Sequence, residues 1–208
     1  LKNTWSIEES VRVGEWQKER QRVRELYDVT VGVVGAGKAG GHYIKLLQNF
    51  NVNVLLYDPI VTEEQAAAMG AKKVELEELC KEADVISIHA PSIPATHHMI
   101  NKERLALMKD ETIIINTARG SIINEDDLVN ELQKGRLFAC LDVTDPEPPA
   151  KDHPFRTLPN CVLTGHIAGA VKNGLQRIAS YSIEEIERYL ADKPLDGEVK
   201  EEALNVIA

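Results

Sequence analysis

Positive charge is scarce in this sequence. Its 24 Lys and Arg stand against 33 Asp and Glu, a net charge of −9 over 208 residues. A nucleic-acid partner would call for clustered basic side chains, so none is expected. Cysteine is scarcer still. Cys80, Cys140 and Cys161 are isolated, odd in number and form no C-x-x-C pair, which argues against a disulfide framework or a metal site. All three sit in or beside apolar segments and read as buried, reduced thiols, so a reducing, cytoplasmic setting is expected. No apolar run is long enough to span a bilayer and no signal peptide opens the chain, which removes the membrane from the expected partners. The first residue is Leu1 rather than Met, which reads as processing or as a piece of a longer protein.

What is present is a substantial apolar fraction, 43%, enough for one large domain or one domain with extensions. From Val29 onward apolar strands alternate with helical stretches. Strands are expected over 31–34, 52–57, weakly near Lys73, then over 85–89, 112–116, 137–143 and 162–163. Helices are expected over 39–48, 63–69, 76–82, 102–108, 125–134 and 170–190. This alternation predicts an α/β fold, a parallel sheet with helices on both faces. Residues 1–28 form a charged arm with a helix ending near Gly14 and a polar connector. Residues 29–191 form the domain, and 192–208 a tail that docks elsewhere. Trp5 and Trp16 call for burial, against the domain or a second subunit.

The stretch TVGVVGAGKAGGHYIKLL organises the rest. Gly35, Gly37 and Gly40 stand as G-x-G-x-x-G between an apolar strand and a helix. In a dinucleotide site the first makes the tight turn, the second admits the pyrophosphate, and the third lets helix and strand pack closely. The amides opening the helix then favour negative charge. A second strand ends in Asp58, at about the ~20-residue spacing of a ribose-binding carboxylate. No Lys or Arg occurs between Asp58 and Lys72, while Glu63 and Glu64 do. A 2′-phosphate would be repelled, so NAD is favoured over NADP. The bland alternative is an ordinary tight turn with a strand-end Asp as helix cap. Strand, turn, helix and acid together favour cofactor binding, on a Rossmann-type doubly wound fold.

In such sheets ligands gather at the carboxyl ends of the strands. There the segments GAGKAG, YDP, HAPS, NTARGS, LDVTDPEPP and TGHIAG concentrate ionisable groups. Arg119 can hold a carboxylate by two parallel hydrogen bonds, or serve as a surface ion-pair partner. His166 can exchange a proton with a hydroxyl, or be a core or capping histidine. Glu147 can fix the tautomer of His166, or be one more acid in a solvated proline-rich loop. His89 ends a strand, and His97 and His98 read as loop residues, with no third ligand for a metal.

The run HAPSIPATHHMINKERLALMKDETIIINTARGSIINEDDLVNELQKGRL, followed by LDVTDPEPP and GHIAG, resembles the D-isomer-specific 2-hydroxyacid dehydrogenases, from about Ser10 to the end. The resemblance implies reversible hydride transfer between NAD(H) and a D-2-hydroxy acid or its 2-oxo acid, of phosphoglycerate, glycerate/hydroxypyruvate, glyoxylate or lactate type. It implies that Arg119 binds substrate, that Glu147 partners the histidine, and that His166 is the acid/base. The cofactor contacts it implies are Gly35, Gly37, Lys38, Ala39, Gly40, Asp58, Pro59, Ala90, Pro91, Thr117, Ala118, Arg119, Asp142, His166 and Gly169. It also implies a homodimer through the cofactor domain. Two departures stand out: Gly165 replaces the family's usual Pro before the histidine, and the N-terminal part that builds most of the substrate domain is missing. A rival expectation is a dimeric NAD(H)-sensing scaffold of the same fold. Arg119, Glu147 and His166 together favour the enzyme.

Overall fold

The computed structural model describes residues 1–2, 4–16 and 23–201, apart from the side chains of Trp5 and Ser6. Seven strands form one sheet: β1 (Val29–Val34), β2 (Val52–Tyr57), β3 (Lys72–Lys73), β4 (Val85–Ile88), β5 (Ile113–Asn116), β6 (Phe138–Leu141) and β7 (Cys161–Leu163). Their order is β3-β2-β1-β4-β5-β6-β7, with every neighbouring pair parallel. The expected Rossmann-type α/β architecture is what the chain forms. The order reverses at β1, which lies between β2 and β4. Val34 is therefore in register with both Tyr57 and Ile88, and the loops beyond these residues part to open a crevice.

Among the described residues seven α-helices accompany the sheet: α1 (Thr4–Arg12), α2 (Lys38–Leu47), α3 (Glu63–Ala68), α4 (Leu76–Glu82), α5 (Lys102–Leu107), α6 (Glu125–Gln133) and α7 (Asn173–Leu190). Local chemistry sets several starts. Thr62 and Gln65 form a capping box for α3. The Asn101 and Asn124 side chains accept from the third amide of α5 and α6, and α6 carries Glu125, Asp126 and Asp127 in its first turn, where the helix dipole favours them.

Two cores sandwich the sheet. Leu76, Leu79, Leu105, Leu128 and Leu132 from α4, α5 and α6 pack on one face, with Ile86, Ile88 and Ile114. Ile44 and Leu47 from α2 and Ala66 from α3 pack on the other, with Val31, Val33, Val54 and Leu56. The central strands β1 and β4 are buried almost throughout, whereas β5 and β6 alternate half-buried with buried residues. On this second face, at the far half of the sheet, Ile113, Phe138, Cys140 and Val162 border a cavity of about 260 Å³ shared with Leu1, Lys2, Thr4 and Arg24.

Differences from the expected elements are small and have local causes. β6 ends at Leu141 because Asp142 turns its side chain to the loop that follows β7. α7 starts at Asn173, three residues late, because Lys172 before it has φ +45°. Of the two tryptophans expected to be buried, Trp16 is 77% exposed, so the domain itself does not cover it. The connector over 17–22 and the apolar end at Leu204, Val206 and Ile207 lie outside the described residues. The described part of the tail folds back on α7: Arg188 pairs with Asp196 at 2.8 Å and the Gly197 amide donates to Glu185 Oε2 at 2.8 Å. Among the described residues no helix is long and apolar enough to cross a membrane.

Candidate active site

The turn after β1 depends on its glycines in different ways. Gly35 has φ +92°, a conformation that side chains disfavour. Its amide donates to the Tyr57 carbonyl at 2.8 Å, and a Cβ there would sit 2.9 Å from the Ala90 nitrogen. At Gly40 a Cβ would lie 2.0 Å from the Gly35 carbonyl oxygen, so the close packing of α2 on the turn requires glycine. Gly37 caps α2 without a side-chain hydrogen bond, and a Cβ there would meet nothing within 4 Å. The exposed residues Gly37, Lys38 and Ala39 leave room above the first amides of α2.

Asp58 is 9% exposed at the end of β2. Its Oδ2 accepts from the Ala36 amide at 2.8 Å, and its Oδ1 from Ile60 and Val61 at 2.9 and 3.3 Å. One carboxylate therefore ties the glycine turn to the turn after β2 and keeps about one lone-pair site free. Beside it opens a cavity of about 210 Å³ lined by Gly35, Asp58, Pro59, Ala90, Pro91 and Met99, among others. Five of the residues expected to touch cofactor thus line one apolar-walled pocket next to a carboxylate. These residues fit a dinucleotide: room at Gly37 for a pyrophosphate, and a pocket of nucleoside character beside Asp58.

The turn after β5 is built by Asn116, which is 1% exposed. Its Nδ2 donates to the Arg119 carbonyl at 2.9 Å and its Oδ1 accepts from the Ala118 amide at 3.0 Å. Thr117 and Arg119 are exposed on the outside of this turn. A Cβ at Gly120 would lie 2.1 Å from the Thr144 carbonyl carbon, so the Arg119 turn abuts the one that leads from β6 toward Glu147. The Arg119 guanidinium Nη1 donates to the Ala118 carbonyl at 2.6 Å.

Beyond β6 and β7, Asp142 organises the segment that carries His166. Asp142 Oδ1 accepts from the Thr164 hydroxyl at 2.5 Å and the Ile167 amide at 2.9 Å, Oδ2 accepts from the Ala168 amide at 2.8 Å, and its carbonyl from the His166 amide at 2.9 Å. Burial works against the charge on Asp142, but these donors and the neighbouring His166 outweigh it and hold the carboxyl below its ordinary range. Gripped in this way, His166 takes φ +54°. Its Nδ1 lies 2.7 Å from Glu147 Oε1. A carboxylate can only accept, so the ring proton sits on Nδ1 and Nε2 presents a lone pair. The two side chains are 45% and 42% exposed, open enough for a small acid to reach. Asp142, Glu147 and His166 share a cavity of about 390 Å³ with Thr144, Arg156 and Thr164. Arg119 does not border it. Gly165 and Gly169 are exposed, with nothing within 4 Å of a Cβ at either.

Of the remaining histidines, His89 is half-buried, which lowers its pKa. Its Nε2 sits 2.9 Å from Ser87 Oγ, and its ring centroid is 5.0 Å from that of Tyr43. His97 and His98 stack on each other at 3.9 Å. No group of three metal-ligating side chains occurs among the described residues. Sequence reasoning missed Asn116 and Thr164, which shape the Arg119 and His166 turns. The one available signal was a polar residue closing each apolar strand.

Comparison with known proteins bears on the fold and the family. Residues 1–168 match the family described as D-isomer specific 2-hydroxyacid dehydrogenase, NAD binding domain. The chain is 39% identical over 199 residues to a D-3-phosphoglycerate dehydrogenase of Methanocaldococcus jannaschii, covering 95% of this chain and 37% of that one. It is 35% identical over 184 residues to a hydroxypyruvate reductase of Thermotoga maritima, covering 87% and 59%. The structure of a D-lactate dehydrogenase from Aquifex aeolicus, complexed with NAD and lactic acid, superposes with a TM-score of 0.79 at 33% identity, covering 92% of this chain and 62% of that one. The chain thus spans less than two thirds of these relatives. By the match over residues 1–168, it belongs to the D-isomer specific 2-hydroxyacid dehydrogenase family, to whose NAD binding domain it corresponds.

Proposed function

We propose that this chain is the cofactor-holding part of an NAD-dependent oxidoreductase that moves a hydride between NAD(H) and a D-2-hydroxy acid or its 2-oxo acid. The observation that carries this reading is the 2.7 Å contact between His166 Nδ1 and Glu147 Oε1, on the same rim of the sheet as the glycine turn. Gly35, Gly37, Lys38, Ala39 and Gly40 hold the pyrophosphate. Asp58 and Pro59, with Ala90 and Pro91, hold the adenosine. Thr117, Ala118, Asp142 and Gly169 line the nicotinamide end. When bound, the cofactor accepts or returns a hydride at its nicotinamide ring. His166 does the complementary proton work, taking the hydroxyl proton on Nε2 during oxidation and giving it back during reduction. Glu147 holds the tautomer that leaves Nε2 free and stabilises the imidazolium that forms. Arg119 swings from the Ala118 carbonyl to clamp the substrate carboxylate, which aims the α-carbon at the cofactor. The substrate is a small acid of phosphoglycerate, glycerate/hydroxypyruvate, glyoxylate or lactate type.

In this reading residues 1–28 are an arm, 29–191 the cofactor domain, and 192–208 a tail toward a substrate domain. The molecule is a cytoplasmic homodimer with no nucleic-acid or membrane partner. In the intact protein, Arg119→Ala, Glu147→Gln and His166→Ala are each expected to slow reduction of 2-oxo acids by roughly 10²–10⁴-fold while NADH binding, followed by fluorescence, survives. An unchanged rate for His166→Ala would sink the acid/base role. Retained NADH binding with no turnover of any 2-oxo acid by the intact wild type would favour the sensing scaffold instead.

A further inference from the structure

Glu147 reaches His166 from a loop with little packing of its own. Residues 145–148 and 150–152 are all exposed; Thr144 Oγ1 holds the Pro146 carbonyl at 3.0 Å and Arg156 those of Pro149 and Ala150 at 2.9 Å each, while the ends of the loop are held from α6. Both ends meet one side chain. Glu125, in the first turn of α6, accepts from the Asp145 amide on Oε1 at 2.8 Å and faces His153 Nε2 from Oε2 at 3.2 Å. The two side chains are 12% and 18% exposed, unlike the open Glu147–His166 pair. The His153 ring is oriented from its other side. The Phe155 amide donates to Nδ1 at 3.3 Å, and the ring lies 4.6 Å from that of Phe155, which is 1% exposed. With Nδ1 accepting, the proton is on Nε2 and points at Glu125. The result is a clasp: one carboxylate closes the loop by taking a donor from each of its ends, and a buried phenylalanine anchors one of those donors.

We propose that Glu125, acting with His153, is a positioning residue that sets Glu147 on His166. The proposal deepens the hydride-transfer reading and rests on it for its functional meaning, though the clasp itself is a property of this chain. An acceptor shielded from water that meets two donors is worth more than the exposed contacts of the loop. Loosening it lets Glu147 sample positions away from the imidazole.

The experiment is NMR of the His166 ring nitrogens in the 208-residue chain, which reads the nitrogen that carries the proton and needs neither cofactor nor turnover. With Glu147 accepting at Nδ1, the wild type is expected to hold the Nδ1–H form. Glu147→Ala removes the acceptor and is expected to abolish that preference. Glu125→Ala, which leaves Glu147 in place, is expected to reproduce at least half of that loss, and Glu125→Gln, which keeps an acceptor for Asp145 but not for His153, a smaller part. In the Glu147→Ala background Glu125→Ala should add nothing, since its effect runs through Glu147. A wild-type Nδ1–H population in a folded Glu125→Ala or Glu125→Gln chain overturns the proposal, and so does a further loss in the Glu147→Ala background. Should Glu125→Ala fail to fold, the isosteric Glu125→Gln and His153→Gln chains decide by the same criterion. Failure of the hydride-transfer reading appears separately, as unchanged turnover of the intact His166→Ala protein.

Discussion

A methyl group added at Gly37 meets nothing within 4 Å, whereas at Gly40 it would lie 2.0 Å from the Gly35 carbonyl. Gly40→Ala is therefore expected to cost about 3 kcal/mol in urea denaturation, because the overlap is with backbone that cannot rotate away. Gly37→Ala should cost less than about 1 kcal/mol, yet abolish NADH binding by filling the space a pyrophosphate needs. Glu125 adds a pH dependence. Burial pushes its carboxyl up to about 7, against an unperturbed 4.5; the Asp145 amide pulls it back, and the Asp145 and Asp126 charges add to the rise. The folded state then binds a proton more readily than the unfolded one. Stability is fully present below pH 4.5 and falls as pH rises toward 7. Denaturation midpoints across this window should show that decline in the wild type and a flatter profile in Glu125→Gln. In the sequence Glu125 reads as a first-turn acid of a helix and His153 as a lone loop histidine. Their meeting depends on how the 145–153 loop closes, which no local pattern encodes.

At the level of elements, the junction of α5 and α6 hangs on Arg136. Its Nη1 and Nη2 donate to the Met108 and Leu105 carbonyls at 2.5 and 2.6 Å, and it pairs with Glu131, whose side chain is 8% exposed, at 2.8 Å. Arg136→Ala strands the Met108 carbonyl, leaves that of Leu105 with the Met108 amide alone and Glu131 with the exposed Lys134 alone, so a loss of about 3 kcal/mol is expected from chemical denaturation. The strands and most helices were legible because buried parallel strands are continuous apolar runs, as in VTVGVV and VNVLLY. β3 was barely visible because it consists of two lysines held by pairing with Leu55 and Leu56 rather than by its own pattern. The start of α7 was misread because the left-handed Lys172 is a product of the turn before it. Asp58 and Asp142 were legible as strand-end acids, but not as the carboxylates that grip the turns around them, since amide donors leave no trace in residue identity.

For the molecule as a whole, exposure is concentrated where partners are proposed. Leu175, Ile178, Ile183, Ile186 and Tyr189 along α7 are each more than half exposed, as is Trp16 in the arm. An amphipathic helix with so little of its apolar side covered is a surface for association. Light scattering across a dilution series should show a dimer, with a blue shift of tryptophan emission as it forms. A monomer at all concentrations would remove the dimer from the reading. Alone, the 208-residue chain should bind NADH but reduce glyoxylate or hydroxypyruvate only slowly, because it spans less than two thirds of its relatives. Rapid turnover by this chain would overturn that expectation.

The sheet closes on one side with two residues, Lys72 and Lys73, and on the other with three, Cys161 to Leu163. A stray strand seeking an unpaired ladder finds almost none. At β3 it meets one lysine bound to Glu78 and another whose ammonium is held by the Val61 carbonyl. Margins this short, and charged at β3, discourage edge-to-edge aggregation. When this domain is heated or crowded, its hazard therefore lies with the helix it leaves uncovered rather than with the ends of its sheet.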